Sequence, residues 1–241
     1  MPRSSTLADV ETFGQLLEQL GGISPHRIRL RPSPGKATEQ DVLTIHNRTG
    51  RLFELVDGVL VEKVMGYAES SLAIWLGHLL QNFLDQHDLG ILAGEAGALR
   101  LMPGLVRIPD VSFVRWEQLP RREIPRDPIP GLVPDLAVEV LSEGNTEGEM
   151  RRKLKDYFLA GVRLVWFVDP ATRTVQVYTA PDKCTVLTEG QSLDGGDVLP
   201  GLSLPVRQIF ARVLRRGSGP AGERPSRRPR SAKSRKRGKD R

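Results

Sequence analysis

Two acidic residues stand inside apolar segments, where a charged side chain is unexpected. Glu139 lies within residues 136–141 and Asp110 within residues 106–113, and both segments are otherwise typical of strands. A buried carboxylate costs free energy unless it is paired, protonated or bound to a metal. Two such acids on neighbouring strands can converge on one cation, which polarises a phosphodiester and lowers the pKa of an attacking water. The alternative is two unrelated acids that lie at strand ends or pair with arginines.

A phosphodiesterase site of this kind also needs a positive group beside the metal, to stabilise the charge that develops on the phosphorus oxygens. Position 141, two residues after Glu139, is Leu141, so the strand itself supplies no lysine. On the helix predicted over 146–160, Lys153 lies beside the apolar stripe and Lys155 points to solvent. We therefore expect Lys153 to reach Glu139. The alternative is a lysine at the edge of the core that keeps its ammonium group in water.

Two further acids are weaker candidates. Glu69 lies on the helix predicted over 67–87, on the same inward face as a row of leucines, which are Leu72, Leu76 and Leu80. It is either a third metal ligand or a residue that complements the positive end of the helix, an interaction of about 0.3–1 kcal/mol. Glu54, in a predicted hairpin, is the weakest of the four acids.

The metal-ligand types in the sequence favour a hard cation. The chain has one cysteine, Cys184, which excludes multi-cysteine zinc and iron–sulfur sites, and its four histidines are not paired at metal-ligand spacing. Oxygen ligands would therefore hold the metal, and this predicts Mg²⁺, with Mn²⁺ as a substitute.

Hydrophobic periodicity and turn residues predict the elements that position these acids. The predicted helices cover residues 7–20, 67–87 and 146–160. The predicted strands cover residues 51–56, 59–64, roughly 91–102, 106–116, 134–142, 163–170 and 174–180. Residues 27–45 predict short extended pieces with a turn, and 117–133 predict a proline-rich loop. Asp57-Gly58 predicts a hairpin, because type I′ turns need positive φ at both central residues. This order of elements predicts a mixed α/β domain with a central sheet.

Charge is distributed unevenly along the 241 residues. Residues 215–241 hold twelve of the 35 Lys and Arg but only two of the 29 Asp and Glu, so this tail carries about +10 and the rest about −4. A segment so basic and so poor in apolar residues is predicted to be disordered. No apolar run is long enough to span a bilayer, and the first residues show no secretory signal, which predicts a cytoplasmic protein without a membrane partner.

Five stretches in a fixed order resemble a known family, the Uma-type restriction endonucleases of the PD-(D/E)XK nuclease superfamily. They are FELVDGVLVEK (53–63), RIPDVSFV (107–114), PDLAVEVLS (134–142), KLKDYFLAGVRLVWFVDP (153–170) and DVLPGLSLPV (197–206). The resemblance spans roughly residues 50–213. It implies an endonuclease-like domain over 50–213, an N-terminal extension over 1–49 that adds a helix, and a disordered basic tail over 214–241.

The resemblance also implies a fold and a site. The implied fold is a restriction-endonuclease-like core, with a mixed central sheet flanked by helices, preceded by the N-terminal helix and the β-hairpin. Asp110 matches the PD aspartate and Glu139 the (D/E) position, as ligands of a catalytic Mg²⁺. Leu141 departs from the usual lysine position, and Lys153 on the following helix matches the lysine supplied from there. Glu69 matches, less securely, a metal-binding glutamate on the first core helix.

Three functions compete at this point. The first is a Mg²⁺-dependent endonuclease that hydrolyses phosphodiester bonds in DNA, with the basic tail adding nonspecific phosphate affinity. The second is a catalytically inactive nucleic-acid-binding protein that retains the nuclease fold. In the third, the basic tail serves only to keep the protein soluble or to contact the ribosome. Superfamily nucleases often work as dimers, and the residues leave a homodimer open.

Overall fold

A computed structural model describes residues 10–211 of the chain, which form five α-helices, three short 3-10 helices and thirteen strands over that range. The α-helices are α1 (Phe13–Gln19), α2 (Glu39–Thr49), α3 (Tyr67–His87), α4 (Glu147–Ala160) and α5 (Val206–Phe210). The strands are β1 (Ile28–Arg29), β2 (Phe53–Val56), β3 (Val59–Glu62), β4 (Gly90–Gly94), β5 (Leu99–Met102), β6 (Leu105–Arg107), β7 (Val111–Arg115), β8 (Leu136–Val140), β9 (Leu164–Asp169), β10 (Thr174–Ala180), β11 (Lys183–Leu187), β12 (Ser192–Asp194) and β13 (Ser203–Pro205).

The larger sheet has six strands in the order β11-β10-β9-β8-β7-β4. Strands β8 and β9 are parallel and joined by α4, whereas the other neighbours in the sheet are antiparallel. The sheet is therefore mixed, and helices flank it, as predicted. Its centre is β8, the strand that carries Glu139.

The smaller sheet has five strands in the order β1-β3-β2-β6-β5. Its centre includes the predicted hairpin, in which β2 and β3 pair around Asp57 and Gly58. These two residues have φ of 51° and 72°, the positive values that a type I′ turn requires. A two-stranded sheet of β12 and β13 completes the strands.

Side chains of the six-stranded sheet alternate between two covered faces. One face packs against α3 and α5, with Val138, Trp166 and Val168 in that cluster. The other face packs against α1, α4 and the five-stranded sheet, with Ala137 and Phe167 in that cluster. Because both faces are covered, β8 is apolar throughout except at its acid, which explains why Glu139 stands out in the sequence.

Several predicted elements are confirmed, and three predictions were wrong. The run predicted over roughly 91–102 is two strands in different sheets, β4 in the six-stranded sheet and β5 in the five-stranded sheet. The structure has α3 over the predicted residues, and α4 begins after the N-cap Thr146 and ends at Gly161 in the left-handed region. Residues 27–45 were expected to be extended, but α2 begins at Glu39, where Thr38 and Asp41 form a capping box. Helix α2 buries only Val42 and Ile45, so few apolar residues mark it in the sequence.

The predicted run 106–116 is not one strand. Strand β6 ends at Arg107 in the five-stranded sheet, and β7 begins at Val111 in the six-stranded sheet. Pro109 lies at the crossing, because it has no N–H to continue a strand ladder. Asp110 is therefore placed at the junction of the two sheets.

Three predictions concern the ends of the chain: the N-terminal helix, the basic tail and the domain boundaries. Helix α1 is shorter than predicted and begins after the N-cap Thr12. The predicted disordered tail and the first residues of the predicted helix 7–20 lie outside the described residues, and the domain boundaries at 49/50 and 213/214 stay predictions. Within residues 10–211, no helix combines the length and the apolar character needed to cross a membrane.

Candidate active site

Asp110 and Glu139 are brought together by the pairing of β7 with β8. The Asp110 N–H donates to the Val138 carbonyl at 2.9 Å, and its Oδ2 accepts from the Val140 N–H at 2.6 Å. Asp110 is thus fastened to the backbone on both sides of Glu139. Both carboxylates are buried: Asp110 is 3% exposed and Glu139 is 4% exposed. Both residues line one small cavity.

Lys153 reaches this cavity from α4. Its Nζ lies 2.9 Å from Glu139 Oε2 and 3.4 Å from Glu54 Oε1, and the side chain is buried. The structure therefore places Lys153 beside Glu139, as expected from the helical periodicity. Lys155, two residues along the helix, is exposed.

Glu54, the weakest candidate in the sequence, lies at the centre of the charged cluster. Its Oε2 accepts from Arg107 Nη1 at 2.7 Å, and its Oε1 accepts from the Ile108 N–H at 3.1 Å. With the contact to Lys153, Glu54 links the hairpin to the helix that carries the lysine. Glu54 therefore belongs to the same cluster as the predicted site residues.

Glu69 lies at the edge of the cavity, in the first turn of α3. Its carboxylate folds back over Gly66, the N-cap of that helix. Glu69 thus lines the cavity with Asp110 and Glu139 and also stands at the positive end of a helix. This position fits the interpretation as a helix-end charge, and the role of Glu69 as a third ligand stays a prediction.

Three side chains of the cluster were not expected from the sequence. Lys63, just after β3, places Nζ 2.6 Å from Asp110 Oδ1 and also donates to the Ile108 carbonyl. The Tyr157 hydroxyl donates to Glu139 Oε1. Tyr157 could have been noticed, because it follows Lys153 by one helical turn, whereas Lys63 and Arg107 carry no local signal.

Burial and charge shift the pKa values of the cluster in opposite directions. Burial raises the pKa of Glu139, the nearby Lys153 lowers it, and the nearby Asp110 raises it further, so that it remains above its usual value. Burial alone would lower the pKa of Lys153, but Glu139 and Glu54 outweigh it and raise that pKa. For Glu54, burial would raise the pKa, but three cations outweigh burial and lower it to about 2; the cations are Lys153, Arg107 and Lys63.

The donor set fits a hard divalent cation that is only partly held by protein. The acids that line the cavity are Asp110, Glu139 and Glu69, and the nearby Ile108 carbonyl already accepts a hydrogen bond from the Lys63 ammonium group. Among residues 10–211, no group of three or more acids, histidines or cysteines is arranged to hold a metal ion. Mg²⁺ commonly binds through one or two carboxylates together with water and substrate phosphates, so two acids are sufficient.

Comparison with known proteins identifies a family and solved structures of similar fold. Residues 39–207 match the sequence profile of the family Uma2, described as "Putative restriction endonuclease". The fold is similar to the crystal structure of a "putative nuclease belonging to DUF820" from Anabaena variabilis ATCC 29413. That match has a TM-score of 0.61 and 19% sequence identity over 69% of this chain and 93% of that chain. At this identity the likeness shows a shared fold. No curated protein matches the chain.

Proposed function

The chain belongs to the Uma2 family, whose profile covers more than half of its length, and from this premise we propose that it is a metal-dependent endonuclease acting on DNA. The observation that carries the proposal is the convergence of Asp110 and Glu139 in one cavity, with the Lys153 ammonium 2.9 Å from Glu139. Two buried acids that can hold a metal ion, with a lysine beside them, can promote phosphodiester hydrolysis.

In this proposal Asp110 and Glu139 hold Mg²⁺, or Mn²⁺ in its place. When bound, the ion would polarise the phosphodiester and lower the pKa of a water molecule. Lys153, held by Glu139 and Glu54, stabilises the charge that develops on the phosphorus oxygens and orients the water. The water oxygen attacks phosphorus in line and the bond to the 3′ oxygen breaks. A 5′-phosphate and a 3′-hydroxyl that has taken up a proton are left.

Tyr157 and Glu54 have positioning roles in this proposal. Tyr157 occupies one oxygen of Glu139 and Lys153 the other, so the carboxylate cannot rotate freely. Glu54 also contacts Lys153, and Arg107 contacts Glu54, so the ammonium group is held in place before substrate binds. Preorganised charge of this kind lowers the cost of reorganisation during the reaction.

Plasmid nicking in Mg²⁺ or Mn²⁺ tests the proposal. We expect Asp110→Asn and Lys153→Met to reduce the nicking rate by about 100-fold or more, as removal of a group that stabilises the transition state does. Lys155→Met, an exposed lysine on the same helix, is the matched control and should cut at the wild-type rate. Circular dichroism of each variant confirms folding. Equal cutting by all four proteins would refute the proposal, and the same assay on RNA tests the choice of DNA.

One observation favours the second candidate, a nucleic-acid-binding protein that no longer cuts. Both carboxylates are ion-paired, Asp110 with Lys63 and Glu139 with Lys153. A site in which Lys63 stays permanently on Asp110 would not bind metal. Calorimetry separates the candidates: Mn²⁺ binding that Asp110→Asn removes supports the nuclease, and DNA binding without metal binding supports the inactive protein.

A further inference from the structure

Lys63 occupies an unusual position for a lysine. Its side chain is only 7% exposed, and its backbone N–H donates to the Leu52 carbonyl at 2.9 Å, which fixes the end of the hairpin. From there the ammonium group crosses to Asp110 Oδ1, at 2.6 Å, and to the Ile108 carbonyl. A carboxylate oxygen and a backbone carbonyl are ligands that Mg²⁺ and Mn²⁺ also use. Lys63 is thus a cation bound by oxygens suited to a metal ion.

The size of the cavity excludes simultaneous binding of both cations. Its volume is about 20 Å³, which is room for roughly one water molecule. Mg²⁺ keeps several waters when it binds through few carboxylates, so it needs more space than this. The Lys63 ammonium also lies 2.6 Å from Asp110 Oδ1, so an ion bound to that oxygen would have to take its place. Metal binding to Asp110 therefore requires Lys63 to move.

The two lysines of the cavity differ in how firmly they are held. Lys153 contacts carboxylates on two elements, Glu139 on β8 and Glu54 on β2. Lys63 contacts one carboxylate, and the other oxygen of that carboxylate is already bound by the Val140 N–H. A lysine stem has four rotatable carbons, so the Lys63 ammonium can turn away without moving the hairpin. Lys63 is therefore the lysine that exchanges.

We propose that Lys63 is an internal competitor for the metal position: its ammonium group holds Asp110, and a divalent cation binds by displacing it. The proposal rests on the proposed function, because it assumes that Asp110 is a metal ligand. It assigns Lys63 a positioning role distinct from that of Lys153, which keeps its place when the ion binds. The hairpin residue thereby sets the metal concentration at which the site fills.

Two substitutions at Lys63 should change metal affinity in opposite directions. Lys63→Met removes the competing charge and leaves Asp110 buried without its cation, so we expect the full-length variant to bind Mn²⁺ at least about tenfold more tightly than wild type. Lys63→Arg keeps the charge and offers a fork that holds a carboxylate at two points, so we expect binding to weaken by about tenfold. Lys155→Met should bind as wild type does. Isothermal titration with Mn²⁺ alone measures all four proteins.

The melting temperature, measured with and without Mn²⁺, is a second test that does not depend on activity. Lys63→Met should melt at a lower temperature than wild type without metal, and Mn²⁺ should raise its melting temperature by more than it raises that of wild type. If this variant does not fold without metal, the weakened binding of Lys63→Arg still tests the proposal. Equal Mn²⁺ affinity in wild type and both Lys63 variants would overturn this inference alone. No Mn²⁺ binding by any of the proteins would overturn the proposed function together with it.

Discussion

Replacing Glu54 by glutamine should remove a large part of the protein's stability at neutral pH. Glu54 is 1% exposed and pairs with Arg107 at 2.7 Å and Lys153 at 3.4 Å. Glutamine has nearly the same shape but no charge, so Glu54→Gln leaves two buried cations without this partner. Loss of one member of a buried pair typically costs about 3–5 kcal/mol.

The pKa of Glu54 gives a second estimate of how much this residue contributes to the free energy of unfolding. Burial would raise that pKa, but the three neighbouring cations lower it from an ordinary 4.5 to about 2. Because each pKa unit corresponds to about 1.4 kcal/mol, the ionised Glu54 contributes on the order of 3 kcal/mol. The folded-state pKa lies below the unfolded-state value. This contribution is therefore complete above about pH 4.5 and is lost as the pH falls towards 2.

Urea unfolding of wild type and Glu54→Gln at several pH values between 7 and 3 measures this contribution. The free energy of unfolding of the variant should be lower by about 3 kcal/mol at pH 7, and the difference should shrink steadily below pH 4.5. Glu147→Gln is the matched control, because Glu147 pairs with Arg151 at the exposed start of α4 and exposed pairs contribute little. A deficit that is equally large at pH 3 and pH 7 would refute the electrostatic reasoning.

Two more predictions concern backbone packing and the basic tail. A Cβ on Gly148 would lie 2.5 Å from the Gly21 carbonyl oxygen, so Gly148→Ala should lower the free energy of unfolding measured in urea by about 1–3 kcal/mol. A Cβ on Gly77, on α3, would meet no atom within 4 Å, so Gly77→Ala should raise that free energy by about 0.5–1 kcal/mol. Destabilisation by both alanines would contradict this packing. Deleting residues 215–241 should weaken DNA binding and flatten its dependence on salt in fluorescence anisotropy. Unchanged affinity would limit the tail to a role outside DNA binding.

The acids of the candidate site could be found in the sequence because their signal is local. Glu139 interrupts an apolar strand, and Asp110 follows a proline within another, so each is conspicuous among its own neighbours. The helix that carries Lys153 has clear caps and periodicity, which gave the correct face for the lysine. Membership of the Uma2 family, first indicated by five short stretches, is confirmed by the profile match.

The partners of these acids could not be found in the same way. Arg107 ends a short strand, and its role as the ion-pair partner of Glu54 appears only when the strand pairs with the hairpin. The Tyr157 ring packs in the apolar cluster beneath α4, and the apolar periodicity of the helix does not show that its hydroxyl donates to Glu139. The passage of the chain from one sheet to the other at Pro109 was also missed, because a strand run shows no change of sheet.

This difference between acids and bases has a physical origin. Asp110 and Glu139 have short side chains, so their backbone positions must be next to the cavity, and strand pairing fixes those positions. A lysine reaches its target across a long stem, so its Cα can lie on a hairpin or on a helix and still deliver an ammonium group to the same place. Lys63 and Lys153 do so from two different elements. Leu141 at the expected lysine position therefore does not argue against a site. The site needs a positive charge in the cavity, and a lysine on another element can supply it.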